Sequence, residues 1–458
     1  MFSNNNLPTP PRFWKTIGPS FILLGLALGS GELIMWPYLS AVWGMGLIWG
    51  AFLGITFQYF LNCEIMRYSL AKGESVFVGL RKILPWIPLW FIVSTIIPWS
   101  LPGFSSAASQ IFANIFNISE VKILAVAFLL FTGIVLTLGK TLYHTMEFIQ
   151  KLIIVFGLPF IILLVILITK KADWVETGLG LIGKGQGWWF FPPGVALASF
   201  LGAFAYSGAG GNLNFAQSYY IKEKGFGMGK YTQKITSLFT SGKKTIELDG
   251  TDFIDNESNY SLWKKWWFLV SREHFIVFWF LGFLTIILLS ILAKSLVFGE
   301  ASTSGIDFLY QQSSILHSKL GSVFGLGFLV VAGLMLFSTQ IGVLESSSRI
   351  ISENFLLMSY KPGFSTNPSL AFYIALWAQI ILGIFVLLLG FGEPRLLLTL
   401  SAILNAIAMM FAFPLVYILN RRNLKSRYRA SPLTQAILVL GFIFFVVFVG
   451  ITLRNFFI

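Results

Sequence analysis

Long apolar runs recur from one end of the chain to the other and leave few folds open. A run of roughly 18 apolar residues or more crosses about 30 Å of hydrocarbon as a helix. Eleven such runs fall near residues 17–43, 46–69, 86–116, 121–139, 142–169, 194–220, 266–296, 321–351, 369–390, 395–419 and 432–453. Only 11% of the residues are charged, against about 25% in soluble domains, and the mean hydropathy is +0.78. The pattern predicts an all-α polytopic membrane protein. A barrel would show weak ten-residue alternation instead.

The formal net charge of +13 invites a nucleic-acid partner, but its distribution argues for a bilayer. With the N-terminus in the cytoplasm, inside loops collect roughly 23 Lys and Arg against roughly 8 outside, the asymmetry expected of a membrane protein. Arg67, Lys72, Arg81 and Lys82 follow the second run; Arg421, Arg422, Lys425, Arg427 and Arg429 follow the tenth. The expected setting is a bacterial-type plasma membrane. The opening "MFSNNNLPTPPRFWK" is polar and proline-rich and lacks the pattern of a cleavable signal peptide. The single cysteine, Cys63, excludes an internal disulfide framework and is expected to pack.

One insertion breaks the pattern. Residues 221–263 are polar, with charges of both signs, and are expected to form a partly ordered cytoplasmic loop. Its "LDGT" suits a hairpin turn, and the following "WKKWW" suits an interfacial anchor. On the other side, "GQGWWFFPPG" places Trp188 and Trp189 at the outer interface, with Pro192 and Pro193 suited to the first turn of the next helix.

Two runs are interrupted in their middle. The first contains "GLALGSGELIMWP", with Gly29, Ser30, Gly31 and the carboxylate of Glu32. The sixth reads "GVALASFLGAFAYSGAGGNLNFAQSYYI", with Tyr206, Ser207, Gly208, Ala209, Gly210, Gly211 and Asn212 at its centre. Gly lowers helix stability by about 1 kcal/mol relative to Ala, and a lone carboxylate in hydrocarbon costs several kcal/mol unless something pairs with it. Broken helices persist at membrane depth only where the freed backbone is buried or lines a cavity. Interruptions at matching positions of two repeats are a pointer to a transporter site. Runs one and six each open a five-helix unit. The predicted organisation is a tail (1–16), a first five-helix repeat (17–169), an extracellular loop (170–193), a second repeat carrying the insertion (194–419), and an added span (432–453).

At these residues the chain resembles the Nramp family of divalent-metal transporters. "IGPSFILLGLALGSGE" is similar to that family's first helix, "FQYFLNCEIMRYSLAKGES" to its second, "YHTMEFIQKLIIVFGLPF" to its fifth and "FSTQIGVLESSSRIISENF" to its eighth. The resemblance implies a LeuT-type five-plus-five inverted repeat, with helices 1 and 6 unwound at the midplane. It also shows departures. Where the family carries Asp-Pro-Gly-Asn, this chain has Gly29-Ser30-Gly31-Glu32, and where the family's sixth helix carries Met-Pro-His, it has neither Met nor His. The acidic residues that serve protons in the family's third helix are missing from "WSLPGFSSAASQIF".

With the soft thioether gone, carboxylate, carbonyl and water favour a hard dication such as Mg²⁺ or Mn²⁺. Glu32 is the expected metal ligand, with Gly29, Ser30, Tyr206, Ser207, Gly208, Ala209 and Asn212 shaping the substrate site. Glu345 and Asn405 are candidates for a coupling site or the cavity wall. The resemblance extends to amino-acid permeases through "GSG" and "FAYSG", where half-helix N-termini receive a substrate carboxylate. A small organic solute is thus the second reading, and a non-transporting sensor the third. Glu64–Arg67 and Glu147–Lys151 have the spacing of helix ion pairs. His144, His274 and His317 fall near span ends or loops without metal-ligand spacing. Phosphate loops, nucleophile–base pairs and zinc motifs do not occur in the sequence, so it points to neither an enzyme nor a cofactor.

Overall fold

The computed structural model describes residues 6–138, 142–232, 247–300, 306–359, 361 and 366–457. Among them, nine helices are long and apolar enough to cross a membrane, and ten if the bent pair in span one counts as one. Span six, divided into short pieces, is the eleventh. The protein is an integral membrane protein, and the described residues form helices and turns, with an isolated bridge from Lys184 to Trp189.

Span one does not lose its hydrogen bonding at the Gly-rich cluster. It passes from an α-helix (Pro19–Ala27) through a π-helix (Leu28–Met35) into a second α-helix (Trp36–Trp43), bending by 41° between its halves. Its interruption is thus a widened turn, a form frequent at functional sites. Span six is broken outright: Leu197–Ala205 is helical, the chain then opens, a 3-10 turn covers Gly211–Ala216, and Gln217–Lys224 resumes the helix. Gly210 and Gly211 have φ of +77° and +49°, which an L side chain rarely adopts.

Span eight (Ser322–Met358) is the central post. It packs against both halves of span three, span five, span nine, and the first half and π turn of span one. The second half of span one lies on span seven, and span ten lies on the first half of span six and on span eleven. Span three is itself divided, into Ile87–Trp99 and Gly103–Phe116, around Ser100 to Pro102. The sequence predicts it as continuous; Pro102, which has no N–H to donate, instead stands at the cap of the second piece.

The insertion is pinned where it is described. Asp249 and Gly250 form no turn, so the "LDGT" hairpin is not made. Lys82 pairs with both Asp249 and Glu74, the Gly250 N–H donates to Glu74, and Lys72 pairs with Asp252. Asp255 accepts from Lys425, Arg427 and Tyr428; those bonds hold its carboxyl well below the usual Asp value. Span seven then starts early, at Glu257, capped by the Asn256 side chain. Trp263 and Trp266 turn into a buried cluster while Lys264 and Lys265 stay exposed, so "WKKWW" is packing as much as anchor. Pro192 and Pro193 lie in the loop ahead of span six, whose helix begins only at Leu197. Cys63 is free and buried.

Candidate functional site

The two interruptions touch. A methyl group on Gly31 would lie 1.7 Å from the carbonyl oxygen of Tyr206, so span one approaches the opened backbone of span six as closely as a glycine permits. Trp36 Nε1 donates to Ser207 Oγ at 2.9 Å, and Ser207 Oγ donates to the Ala203 carbonyl. The groups freed by the break find a partner that the sequence did not single out. Gln58, on span two, donates to the Ala205 carbonyl at 3.0 Å and accepts from the Gly210 N–H at 3.1 Å. It also accepts from Asn214. An amide within an apolar helix is the signal that marks Gln58, and it marks Asn62 four residues on as well.

Span eight secures the first interruption. The Gly29 N–H donates to Thr339 Oγ1 at 3.0 Å, and Thr339 in turn donates to the Gly25 carbonyl. The side chain of Ser30 lies outside the described residues. Asn405 does line the break, donating to Tyr206 Oη at 3.2 Å and packing on Gly211. Tyr206 Oη donates to Ser401, and Ser401 to the carbonyl of Pro98. Gly208 and Ala209 are buried in the opened segment beside Gln58.

Glu32 and Asn212, the two side chains expected to share a ligand, engage different neighbours. Glu32 is fully buried and its Oε2 accepts from Thr285 on span seven. Asn212 donates to Ser94 and Thr95 on span three, at 2.8 and 2.9 Å. Each keeps a buried oxygen without a donor, Glu32 Oε1 and Asn212 Oδ1, as does Asn405 Oδ1. No cationic side chain pairs with Glu32 among the described residues, so its charge must be neutralised by a proton or by a bound cation. Among those residues no group of three or more His, Cys, Asp or Glu is arranged to hold a metal. The acceptors at hand are one carboxylate, amide oxygens and backbone carbonyls, a donor set for a hard cation that keeps several waters. Glu32, Tyr206, Ser207, Asn212 and Asn405 are all fully buried, so the candidate site is closed to solvent.

Glu345 stands apart from this centre. It accepts from Arg349 and from Tyr220 Oη (3.0 Å), and Arg349 also donates to Glu223. This buried cluster ties the end of span six to span eight. The neighbouring serines bridge helices: Ser346 meets Tyr220, and Ser347 and Ser348 bond the amide of Gln379 on span nine. Glu64–Arg67 and Glu147–Lys151 form the expected ion pairs, at 2.9 and 2.6 Å. His274 departs from expectation, being buried inside span seven and bonded to Ser20.

No family model matches the sequence, nor does any curated protein. Solved structures do share the fold. The Eremococcus coleocola manganese transporter, in complex with an aromatic bis-isothiourea substituted compound, superposes with a TM-score of 0.73 at 14% identity, over 100% of this chain and 92% of that one. Mhp1, a nucleobase-cation-symport-1 family transporter in a closed conformation with bromovinylhydantoin bound, gives 0.56 at 12% identity, over 99% and 96%. MhsT in complex with L-phenylalanine gives 0.54 at 12% identity, over 95% and 97%. At such identities the likeness establishes architecture: the chain has a LeuT-type fold of about eleven helices, interrupted in helices 1 and 6.

Proposed function

We propose that the protein is a secondary transporter that moves a divalent metal ion, with a hard cation such as Mn²⁺ or Mg²⁺ as its substrate. The observation that carries this reading is Glu32: a fully buried carboxylate that has, among the described residues, no cationic partner and one unpartnered oxygen, in the interruption that touches the opened backbone of span six. The unpartnered oxygens of Asn212 and Asn405 beside the same break support it, as does the higher score of the manganese transporter among the structural matches given above. Gly29, Ser30, Tyr206, Ser207, Gly208 and Ala209 shape the site. The N-terminus is cytoplasmic, in a plasma membrane. The five-helix units 17–169 and 194–419 alternate access by rocking spans one, two, six and seven against the rest. Glu345 serves in a gate between the moving span six and span eight, through Tyr220 and Arg349.

A small organic solute is the second reading. The scarcity of acidic ligands favours it, together with the L-phenylalanine complex of MhsT on the same fold. Calorimetric titration of the purified protein separates the two. Saturable heat with Mn²⁺ or Mg²⁺ that disappears in Glu32→Gln is the expected result. Silence with Mn²⁺, Mg²⁺ and Ca²⁺, alongside heat with an amino or carboxylic acid, would overturn the metal reading.

A further inference from the structure

A second buried acid lies at the entry to span one. Glu273, on span seven, is fully buried and caps that helix, accepting from the N–H groups of Gly18 and Ser20 at 3.2 and 3.3 Å. Ser20 Oγ lies 2.5 Å from Glu273 Oε2 and 2.8 Å from His274 Nδ1. A carboxylate, a hydroxyl and an imidazole thus form one chain. The ring of His274 is stacked between Tyr59 (5.4 Å) and Phe278 (4.7 Å), and its Nε2 is buried without a partner among the described residues. A helix cap needs the carboxylate alone; it gives no role to the imidazole or to its bare nitrogen.

We propose that Glu273, Ser20 and His274 form a proton-binding site that latches the first half of span one. This deepens the transport reading by supplying the coupling ion, and it rests on that reading for its purpose. Ser20 has one hydroxyl hydrogen and can donate it in only one direction. In the empty state Ser20 donates to the Glu273 carboxylate, His274 donates Nδ1–H to Ser20, and Nε2 carries a free lone pair. An incoming proton bonds to Nε2. The Nδ1 proton passes to Ser20 Oγ, and the Ser20 hydrogen passes to Glu273 Oε2. One proton has entered, the imidazole is again neutral, and Glu273 has become a carboxylic acid. No heavy atom needs to move.

The consequence falls on span one. Hydrogen bonds to an ionised acceptor are roughly twice as strong as neutral ones, so protonation loosens the grip of Glu273 on Gly18 and Ser20. Lys224, from span six, reaches this acid through its charge only. Its hydrogen bond goes to Glu147 of span five, at 2.8 Å, as does that of Lys151, at 2.6 Å, which also donates to the Ile17 carbonyl at 3.3 Å. Tyr143 and Glu147 face Gly18 from span five, Tyr59 faces the imidazole from span two, and Arg272, on the same helix, lies over Phe13. None of the cations among them is hydrogen-bonded to Glu273.

Infrared difference spectra of the reconstituted full chain, between acidic and neutral pH, test the site without any substrate. A carboxylic-acid band that is present in wild type and missing in Glu273→Gln is expected. His274→Gln keeps the cap and should move the midpoint of that band by about one pH unit or more. An unaltered spectrum in Glu273→Gln, or an unmoved midpoint in His274→Gln, would overturn the proposal. In liposomes loaded through an inward acid gradient, Mn²⁺ uptake should lose its acceleration by the gradient in His274→Gln. Calorimetric Mn²⁺ binding should survive in that variant. Uptake that keeps its full acceleration there would equally overturn it. If the wild type moves no Mn²⁺, the transport reading fails by itself, and the infrared spectra decide the proton site.

Discussion

Gly31 shows how much one missing carbon can hold. Its Cα faces the Tyr206 carbonyl so closely that an alanine methyl would sit 1.7 Å from the oxygen, with backbone rather than a pliable side chain in the way. Gly157, in span five, is the contrast, since a methyl there meets only Val331, at 3.4 Å. Overpacking costs typically about 1–3 kcal/mol, whereas relieving a helical glycine returns about 1 kcal/mol. Gly31→Ala should therefore lower the melting temperature in detergent and weaken Mn²⁺ binding, while Gly157→Ala should leave binding alone and raise the melting temperature slightly. Equal melting shifts in the two variants would show that the interruptions do not meet. The Gly-rich clusters themselves were legible because polar and small residues stand out in an apolar run. Their partners were not. Glu32 finds Thr285 across 253 residues, and Asn212 finds Thr95 across 117, and such pairings are set by packing, which no local pattern encodes. The carboxylate marked a candidate site; the neighbours on spans three and seven had to be seen.

Helices on the side away from the insertion are held by a few ions. The short helix Lys171–Gly180 follows span five and docks on span seven through Lys294, which pairs with Asp173 at 2.8 Å and Glu176 at 2.6 Å. Glu176 also accepts from the N–H of Met45. Burial pushes the Asp173 carboxyl up, but the bonds from Lys294 and the Lys170 N–H outweigh it and hold the group below the ordinary Asp value of 3.8. A depressed carboxyl contributes its stability above the unfolded value and loses it as pH falls through the folded one. Amide exchange across Lys171–Gly180, corrected for its intrinsic rate, should thus accelerate as pH drops below about 4. Asp173→Asn should show the same acceleration already at neutral pH. Exchange that is indifferent to both changes would mean that the helix is held by its apolar face alone. This element illustrates the limit of periodicity. Eleven apolar runs could be drawn from composition, but the form of each interruption could not. Span one keeps a π turn, span six opens, and span three divides beside a proline, although all three carry small or polar residues at the interruption.

Across the whole molecule, the proposed rocking of spans one, two, six and seven must exchange one set of contacts for another. On the insertion side the moving spans are tied to the rest by buried polar groups. Tyr220 and Glu223 on span six hold Glu345 and Arg349 on span eight. Glu64 on span two accepts from Asn420 on span ten at 2.9 Å, and Arg67 donates to the Tyr428 carbonyl. On the opposite side the tie is Lys294 with Asp173 and Glu176. Removing one partner of a buried ion pair costs about 3–5 kcal/mol, because the other charge is left uncompensated. Arg349→Met strands two carboxylates, and parting the two faces relieves them by admitting water. The closed arrangement is then penalised on that side only, and each 1.4 kcal/mol or so shifts the balance tenfold. Amides of Gln217–Lys224 should exchange at least about tenfold faster in Arg349→Met, with Lys171–Gly180 unchanged. Lys294→Met should do the reverse, by a smaller factor, because its pair keeps some contact with water, 13% of each side chain being exposed. Opposed responses of this kind belong to a molecule with two gates around one closed site. Equal acceleration of both segments in either variant would instead mark general loosening, and would remove the ion clusters from any account of gating.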